Sequence, residues 1–423
     1  MEKFVIQGGR RLEGRVTISG SKNASLPMMA AAILSSGPCT IKNVPHLTDI
    51  RTMGEILGAM GVSCEWDGDA LTCTTHDSTE VTAPYEMVSR MRASVCVLGP
   101  LLARRKKACV SLPGGCVIGL RPIDLHIKGL RSLGAKVYIE HGYVIAEADR
   151  LKGADIYLGG AFGSSVTGTA NVMMAATLAE GRTLIENAAC EPEVQDLAHF
   201  LNAMGARVSG IGTPRLVIDG VEELGGCEHE VLPDRIEAGT FMVASAITRG
   251  DLRLRNVRLD HLHAVVDKLR QIGVRIYQEN GEVRIDAPDR PLAVDVTTLP
   301  YPGFPTDLQA QFMALLSIGN GISVVTEKIY PDRYMHVAEL NRMAADIRKE
   351  GATSIIIGVP ELSGAQVMAS DLRASAALVL AGLVAKGTTE VGRVYHIDRG
   401  YEKIEEKLIA VGARIDRVPD EKA

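Results

Sequence analysis

The sequence predicts an α/β fold in two domains, built from six copies of one unit. Three observations carry this. A helix that ends on glycine before a strand recurs about every seventy residues. Six further helical stretches are apolar on nearly every face. Hairpin signals follow several of the glycine junctions.

The chain opens with two expected strands, residues 3–7 and 13–19. The junctions then read Met60-Gly61-Val62, Leu133-Gly134-Ala135, Met204-Gly205-Ala206, Ile272-Gly273-Val274, Glu350-Gly351-Ala352 and Val411-Gly412-Ala413, at intervals of 73, 71, 68, 78 and 61. Glycine there supplies the left-handed conformation that closes a helix. The apolar helices are expected at 22–36, 92–102, 165–180, 234–249, 307–318 and 371–386. All six start on polar or charged residues and then turn apolar, which marks them as buried. Amphipathic stretches such as 262–272 and 402–411 are expected outside. Asn280-Gly281, between 274–278 and 282–286, is a two-residue hairpin signal.

Six units exceed one core, so they divide three and three, with three buried helices per domain. The division places 22–232 in a first domain and 1–21 plus 233–423 in a second. A chain crossing twice, near Ser21 and Leu232, would form a two-strand hinge. Three parallel buried helices per domain would gather their N-termini at one end. Free N–H groups and helix dipoles make such an end attractive to anions, and two facing domains would make a cleft for one.

Composition limits the function. Aromatic residues are only 4% and glycines number 43, so cores must rest on small and aliphatic side chains in tight helix packing. A net charge of -5 argues against a general nucleic-acid or membrane-surface binder. No apolar run has membrane-span length and Met1-Glu2-Lys3 does not open a signal peptide, so a cytoplasmic location is expected. The eight cysteines form no Cys-x-x-Cys pair or zinc-type cluster and are expected as free thiols. No G-x-x-x-x-G-K-[ST] or G-x-G-x-x-G occurs.

The chemistry concentrates first at Leu112-Pro113-Gly114-Gly115-Cys116-Val117-Ile118-Gly119-Leu120-Arg121-Pro122-Ile123-Asp124. Pro-Gly-Gly ends a strand, so Cys116 falls on a bendable loop, five residues before the Arg121 cation that favours thiolate. An idle loop thiol is the alternative. Lys22, Arg92, Arg121, Arg333, Arg373 and Arg399 recur at predicted helix ends and loops, the residue types suited to phosphate or carboxylate. Asp307 and Asp234 each open a buried helix after proline, as a helix cap or as a general base. His126 reads as a satisfied structural histidine, and Glu191 as a favourable charge at a helix start.

Several long motifs then resemble a known family. Pro113-Gly114-Gly115-Cys116-Val117-Ile118-Gly119 with Arg121-Pro122, Ser19-Gly20-Ser21-Lys22-Asn23-Ala24, Leu232-Pro233-Asp234-Arg235-Ile236-Glu237, Phe304-Pro305-Thr306-Asp307-Leu308-Gln309-Ala310-Gln311, Asp371-Leu372-Arg373-Ala374 and Tyr395-His396-Ile397-Asp398-Arg399-Gly400-Tyr401 are similar to those of the UDP-N-acetylglucosamine 1-carboxyvinyltransferases (MurA) of the enolpyruvyl transferase family. The resemblance runs from about residue 3 to about residue 417. It implies two inside-out α/β barrel domains and transfer of enolpyruvate from phosphoenolpyruvate to the 3′-hydroxyl of UDP-N-acetylglucosamine. Phosphate leaves, in the first committed step of peptidoglycan synthesis. No metal or other cofactor is implied, nor any nucleic-acid or membrane partner.

The resemblance also assigns roles. Lys22, Arg121 and Arg399, with Arg92 beside them, would cradle phosphoenolpyruvate. Cys116 would protonate the enolpyruvyl methylene, assist product release and be the residue that fosfomycin alkylates. Asp307 would take or orient the hydroxyl proton. Asn23 and Asp307 would contact the sugar, and Arg121, Pro122, Ile123, Asp124, Ser165, Val166 and Ile329 would line the uridine diphosphate. Asp371, Arg373, Arg333, Glu191, Asp234 and His126 match positions near the cleft or its closure. Departures are Thr167, which adds bulk near the expected diphosphate, and Cys96, His46 and Thr48. The related synthase of 5-enolpyruvylshikimate-3-phosphate lacks the cysteine loop, and a silent nucleotide-sugar-binding relative would not need Cys116, Lys22, Asp307 and Arg399 together.

Overall fold

A computed structural model describes residues 2–112, 123–161, 163–287 and 289–420. Among them, twelve helices of seven residues or more alternate between buried and outer. The buried ones are α1 (Lys22–Ala31), α3 (Leu98–Arg105), α5 (Val166–Ala176), α7 (Arg235–Ile247), α9 (Gln309–Leu316) and α11 (Leu372–Val384). The outer ones are α2 (Thr48–Ala59), α4 (Asp124–Ser132), α6 (Pro192–Ala203), α8 (His263–Gln271), α10 (His336–Arg342) and α12 (Ile404–Ala410). Every residue of α7 and α9 is buried, which is why no polar face appears in their sequences.

Six four-stranded sheets accompany these helices, and a two-stranded pair lies at Gly159–Gly160 and Gly163–Ser164. All six share one pattern: a parallel edge strand, then two antiparallel pairings. In one, Thr82–Ala83 runs parallel to Lys107–Ser111, which pairs antiparallel with Tyr143–Glu147, which pairs antiparallel with Lys136–Glu140. Among the described residues no sheet closes on itself. In one sheet Glu2–Gln7 lies between Thr388–Gly392 and Arg414–Pro419, with Glu2 opposite Pro419.

The chain divides into two compact units. One takes the chain up to Ser19 and again from Pro233; the other takes the described residues between Gly20 and Leu232. Each has its own apolar core, around Met28, Met173 and Phe200 in the second and around Phe4, Phe241 and Phe312 in the first. Glycine allows the close helix packing expected from the composition. A Cβ on Gly99 of α3 would lie 2.3 Å from the Asn171 carbonyl oxygen of α5, and one on Gly129 of α4 would lie 2.2 Å from Val172 Cγ2.

Two expectations are corrected. Gly351 does not cap a helix: it sits at φ 60° in the turn joining Asp346–Glu350 to Thr353–Ile357. The fifth junction is Met343-Ala344-Ala345, where Ala344 takes φ 66°. Its N–H donates to Asn341 O (3.0 Å) and the Ala345 N–H to Leu340 O (3.1 Å), the same pair of bonds that Gly273 and Val274 make to Arg270 and Leu269. With Ala344 as the junction the last two intervals become 71 and 68, and the repeat is regular.

The helix starts also differ from the expectation that all six open directly on a polar or charged residue. Four buried helices begin on a side-chain cap: Ser21, Ser165, Asp234 and Asp371 accept from backbone N–H groups of the first turn. The other two are entered through tighter 3₁₀ turns, Arg92–Val97 and Thr306–Leu308. There α3 and α9 begin at Leu98 and Gln309 without a side-chain cap, so Arg92 and Asp307 stand ahead of the α-helix rather than on its first turn.

Candidate active site

The 3₁₀ entry to α9 releases Asp307 from capping. Its Oδ1 accepts from Arg333 Nη1 at 2.8 Å, and its Oδ2 lies 3.8 Å from Arg373 Nε. The side chains of Arg333 and Arg373 are 5% and 1% exposed, that of Asp307 28%, so the carboxylate reaches solvent between two buried cations. Arg333 also donates to Thr306 Oγ1 (3.0 Å). Neighbouring carboxylates, Asp307 first, hold the Arg333 guanidinium protonated against its burial.

Arg373 is the unusual member. Its three guanidinium nitrogens are buried and make no hydrogen bond among the described residues. Its Cζ lies 4.9 Å from the centre of the Tyr401 ring. The Tyr401 hydroxyl is tied to Thr240 Oγ1 (2.9 Å) and accepts from Gln311 Nε2 (3.1 Å), while Gln311 also donates to the Asp307 carbonyl (3.0 Å). The nearby acids have settled roles. Asp371 Oδ1 accepts from Arg373 N (2.7 Å) and Ala374 N (3.0 Å), and Asp234 Oδ1 from Ile236 N (2.8 Å) and Glu237 N (2.9 Å). Asp234 is therefore a helix cap.

Glu327, which the sequence reading did not single out, ties this corner together. Its Oε1 accepts from Thr298 Oγ1 (2.7 Å), Ile329 N (2.8 Å) and Tyr330 N (2.9 Å), and its Oε2 from Thr306 Oγ1 (2.9 Å). One fully buried carboxylate thus fixes the residue before Asp307 and the backbone of Ile329. The signal was present as a lone acid ending the alternating strand Ile322–Thr326. Arg399 closes the 3₁₀ turn Val394–Arg399 in the same unit and is half-buried.

In the other unit Lys22 opens α1, buried, with its Nζ 3.2 Å from Asp49 Oδ2 on the first turn of α2. Asn23 follows it, half-buried. Arg92 opens the 3₁₀ entry to α3, and its charge reaches two buried groups. Burial first, then Arg92, push the His126 imidazole down to about 3. Burial pushes the Cys96 thiol up to about 12, with Arg92 opposing. The His126 ring accepts at Nδ1 from Asn171 Nδ2 (2.9 Å), which leaves Nε2 to donate to Thr167 Oγ1 (3.1 Å). His126 is a satisfied core histidine, and Thr167, a departure from the family pattern, is its partner.

Ser165 caps α5, accepting from Gly168 N at 3.1 Å; Val166 is exposed beside it. Ile123 is buried and Asp124, the first residue of α4, is exposed. Glu191 stands at the start of α6. His46 lies against Trp66, ring centres 4.3 Å apart, and Thr48 opens α2. Cys116, Arg121 and Pro122 lie outside the described residues.

A family profile described as EPSP synthase (3-phosphoshikimate 1-carboxyvinyltransferase) matches residues 6–408. Among curated proteins the chain is 55% identical over 418 residues to a UDP-N-acetylglucosamine 1-carboxyvinyltransferase of Methylacidiphilum infernorum, covering 99% of both. It is 54% identical over 420 residues to the protein of that name from Geobacter metallireducens, covering 99% of this chain and all of the other. The chain belongs to the UDP-N-acetylglucosamine 1-carboxyvinyltransferase family. As a member of the UDP-N-acetylglucosamine 1-carboxyvinyltransferases it is an enzyme of the enolpyruvyl transferase class.

Solved structures show the same fold at lower identity. The enolpyruvyl transferase NikO from Streptomyces tendae matches 99% of both chains with a TM-score of 0.89 at 24% identity. EPSP synthase from Acinetobacter baumannii matches 99% of this chain with a TM-score of 0.77 at 19% identity. Among the described residues no helix of this carboxyvinyltransferase is long and apolar enough to cross a membrane. Among those residues there is also no group of three or more His, Cys, Asp or Glu side chains placed to hold a metal.

Proposed function

We propose that the chain transfers the enolpyruvyl group of phosphoenolpyruvate to the 3′-hydroxyl of UDP-N-acetylglucosamine, releasing phosphate, in peptidoglycan synthesis. The observation that carries the site is the half-buried Asp307 carboxylate, which reaches solvent between buried Arg333 and Arg373. Such a group accepts a hydrogen bond from a sugar hydroxyl and receives its proton as the oxygen attacks. The full-length relatives at 55% and 54% identity favour this acceptor, whereas the EPSP synthase likeness at 19% speaks for the fold alone.

In this reading the alcohol oxygen bonds to C2 of phosphoenolpyruvate while Cys116 gives a proton to C3, forming a tetrahedral intermediate. C3 then loses a proton, the C2–O bond to phosphate breaks and the double bond reforms. Lys22, Arg121 and Arg399, with Arg92, hold the phosphate and carboxylate, and their charge steadies the intermediate. Asn23 and Asp307 hold the sugar. Arg121, Pro122, Ile123, Asp124, Ser165, Val166 and Ile329 face the uridine diphosphate, and Arg373 supplies a buried cation with hydrogen bonds to give. Each unit is read as an inside-out barrel, its three like-patterned sheets around three buried helices. The six-fold recurrence of one strand order supports that reading.

The test is phosphate release from phosphoenolpyruvate, with and without UDP-N-acetylglucosamine, by wild type and Cys116→Ser. Release that requires the sugar nucleotide and collapses in the variant is expected. Release without it, or with shikimate-3-phosphate instead, overturns the proposed acceptor. Full activity in Cys116→Ser moves the proton donor elsewhere.

A further inference from the structure

One sheet carries four cysteines on a single rung. Its strands run in the order Cys227–Glu230, Cys39–Lys42, Ala70–Thr75, Val62–Asp67. The registers pair Cys227 with Cys39, Cys39 with Cys73, and Cys73 with Cys64. Residues directly opposite share a face, so the four thiols line up across the sheet. That face is the core side: Cys39 and Cys73 are fully buried, and Cys64 and Cys227, on the two edge strands, are half-buried. On the other face Thr40 and Thr72 bond each other at 3.0 Å.

The Cys64 and Cys73 sulfurs are 3.5 Å apart. Their strands are joined by a two-residue turn, Gly68-Asp69, so Asp67 and Ala70 form the closing hydrogen-bonded pair. Counting back from it, Cys64 and Cys73 occupy a non-hydrogen-bonded position, where opposite Cα atoms are about 4.5 Å apart, inside the range a disulfide spans. We propose that Cys64 and Cys73 form an oxidation site, in which a peroxide converts the two thiols into a cross-strand disulfide. The mutual hydrogen bond favours thiolate at Cys64 and pushes the Cys73 thiol well up. Cys64 is also the more exposed, so it is the sulfur that attacks.

Cys64 thiolate attacks one peroxide oxygen, the O–O bond breaks, and Cys64 becomes a sulfenic acid while one oxygen leaves as water. Cys73 sulfur then attacks Cys64 sulfur, the S–O bond breaks, and a second water leaves as the disulfide forms. The thiols lose two electrons and two protons, and the peroxide is reduced to two waters.

The experiment is peptide mapping of the reduced enzyme after brief hydrogen peroxide treatment and alkylation of remaining thiols. No Lys or Arg lies between Arg51 and Arg90, so trypsin leaves Cys64 and Cys73 together as the only cysteines of one peptide. The expected result is that this peptide loses two hydrogens and resists alkylation, recovering both alkylation sites after reduction. Cleavage at Asp67 and Asp69 then yields two fragments linked until reduced. In Cys73→Ala the resolving sulfur is gone, so the disulfide is abolished and Cys64 stops at the sulfenic acid, where dimedone traps it. The proposal is overturned if wild-type Cys64 proceeds to a sulfinic acid with Cys73 still reduced, or if Cys73 links to Cys39. It is equally overturned if the peptide stays fully alkylatable while Cys116 is oxidised. The wild-type map decides the matter even if the variant does not fold.

Discussion

Asp307, Asp234 and Asp371 look alike in sequence, each an acid before an apolar helix, and the structure gives them different work. Two turn back onto the helix N–H groups beside them. Asp307 faces Arg333, 26 residues away. Only tertiary pairing separates the roles, so the ambiguity was real at the sequence level, and the buried place of the Arg373 guanidinium, between Asp307 and the Tyr401 ring, was equally out of reach there. Asp307→Asn keeps a hydrogen-bond acceptor for Arg333 but removes the charge and the proton acceptor. It should lower kcat by roughly 10²–10⁴-fold, with the unfolding free energy reduced by only about 1–3 kcal/mol. Steady-state kinetics beside urea unfolding checks this. A kcat within about ten-fold of wild type would assign the proton to another group.

Among the elements, the repeat was legible because five junctions carry glycine at positive φ, and glycine is the loudest C-cap signal. The fifth unit misled because it places alanine at that position and glycine seven residues later, in a hairpin turn. A Cβ in the left-handed region costs about 1–2 kcal/mol, and Ala344 is exposed, so nothing offsets that strain through packing. Ala344→Gly should therefore raise the unfolding free energy by about 0.5–1 kcal/mol, the relief exceeding the added unfolded-state entropy. A urea midpoint that shifts downward would mean that the alanine is not strained. The 3₁₀ entries to α3 and α9 were illegible for a related reason: they look like helix starts in sequence and differ only in how the first turn closes.

Across the whole molecule, each unit buries a neutral histidine. Burial, with Arg92 adding, holds His126 down to about 3, and burial first, with Asp371 opposing, holds His336 down to about 4. In the unfolded chain both take a proton below about 6.5. Above that pH neither state binds it and stability is unaffected. Below it the unfolded chain gains protons that the folded one refuses, so stability falls by about 1.4 kcal/mol per pH unit for each ring. The loss spans 6.5 to about 4 for His336 and continues to about 3 for His126. His126→Gln, able to accept from Asn171 and donate to Thr167, should flatten the fall between pH 6 and pH 4 by about one proton. Urea unfolding at a series of pH values reads this directly, and an unchanged slope would show that the ring charges in the folded state.

The strand Glu2–Gln7 has a history that its final place conceals. Its partners, Thr388–Gly392 and Arg414–Pro419, are nearly four hundred residues downstream. A ribosome adding about 5–20 residues per second needs roughly twenty to eighty seconds to reach them. The stretch from Gly20 to Leu232 is complete long before then. During synthesis, therefore, Phe4 and Ile6 travel on an unpaired strand, and the earliest strand to emerge is among the last to settle.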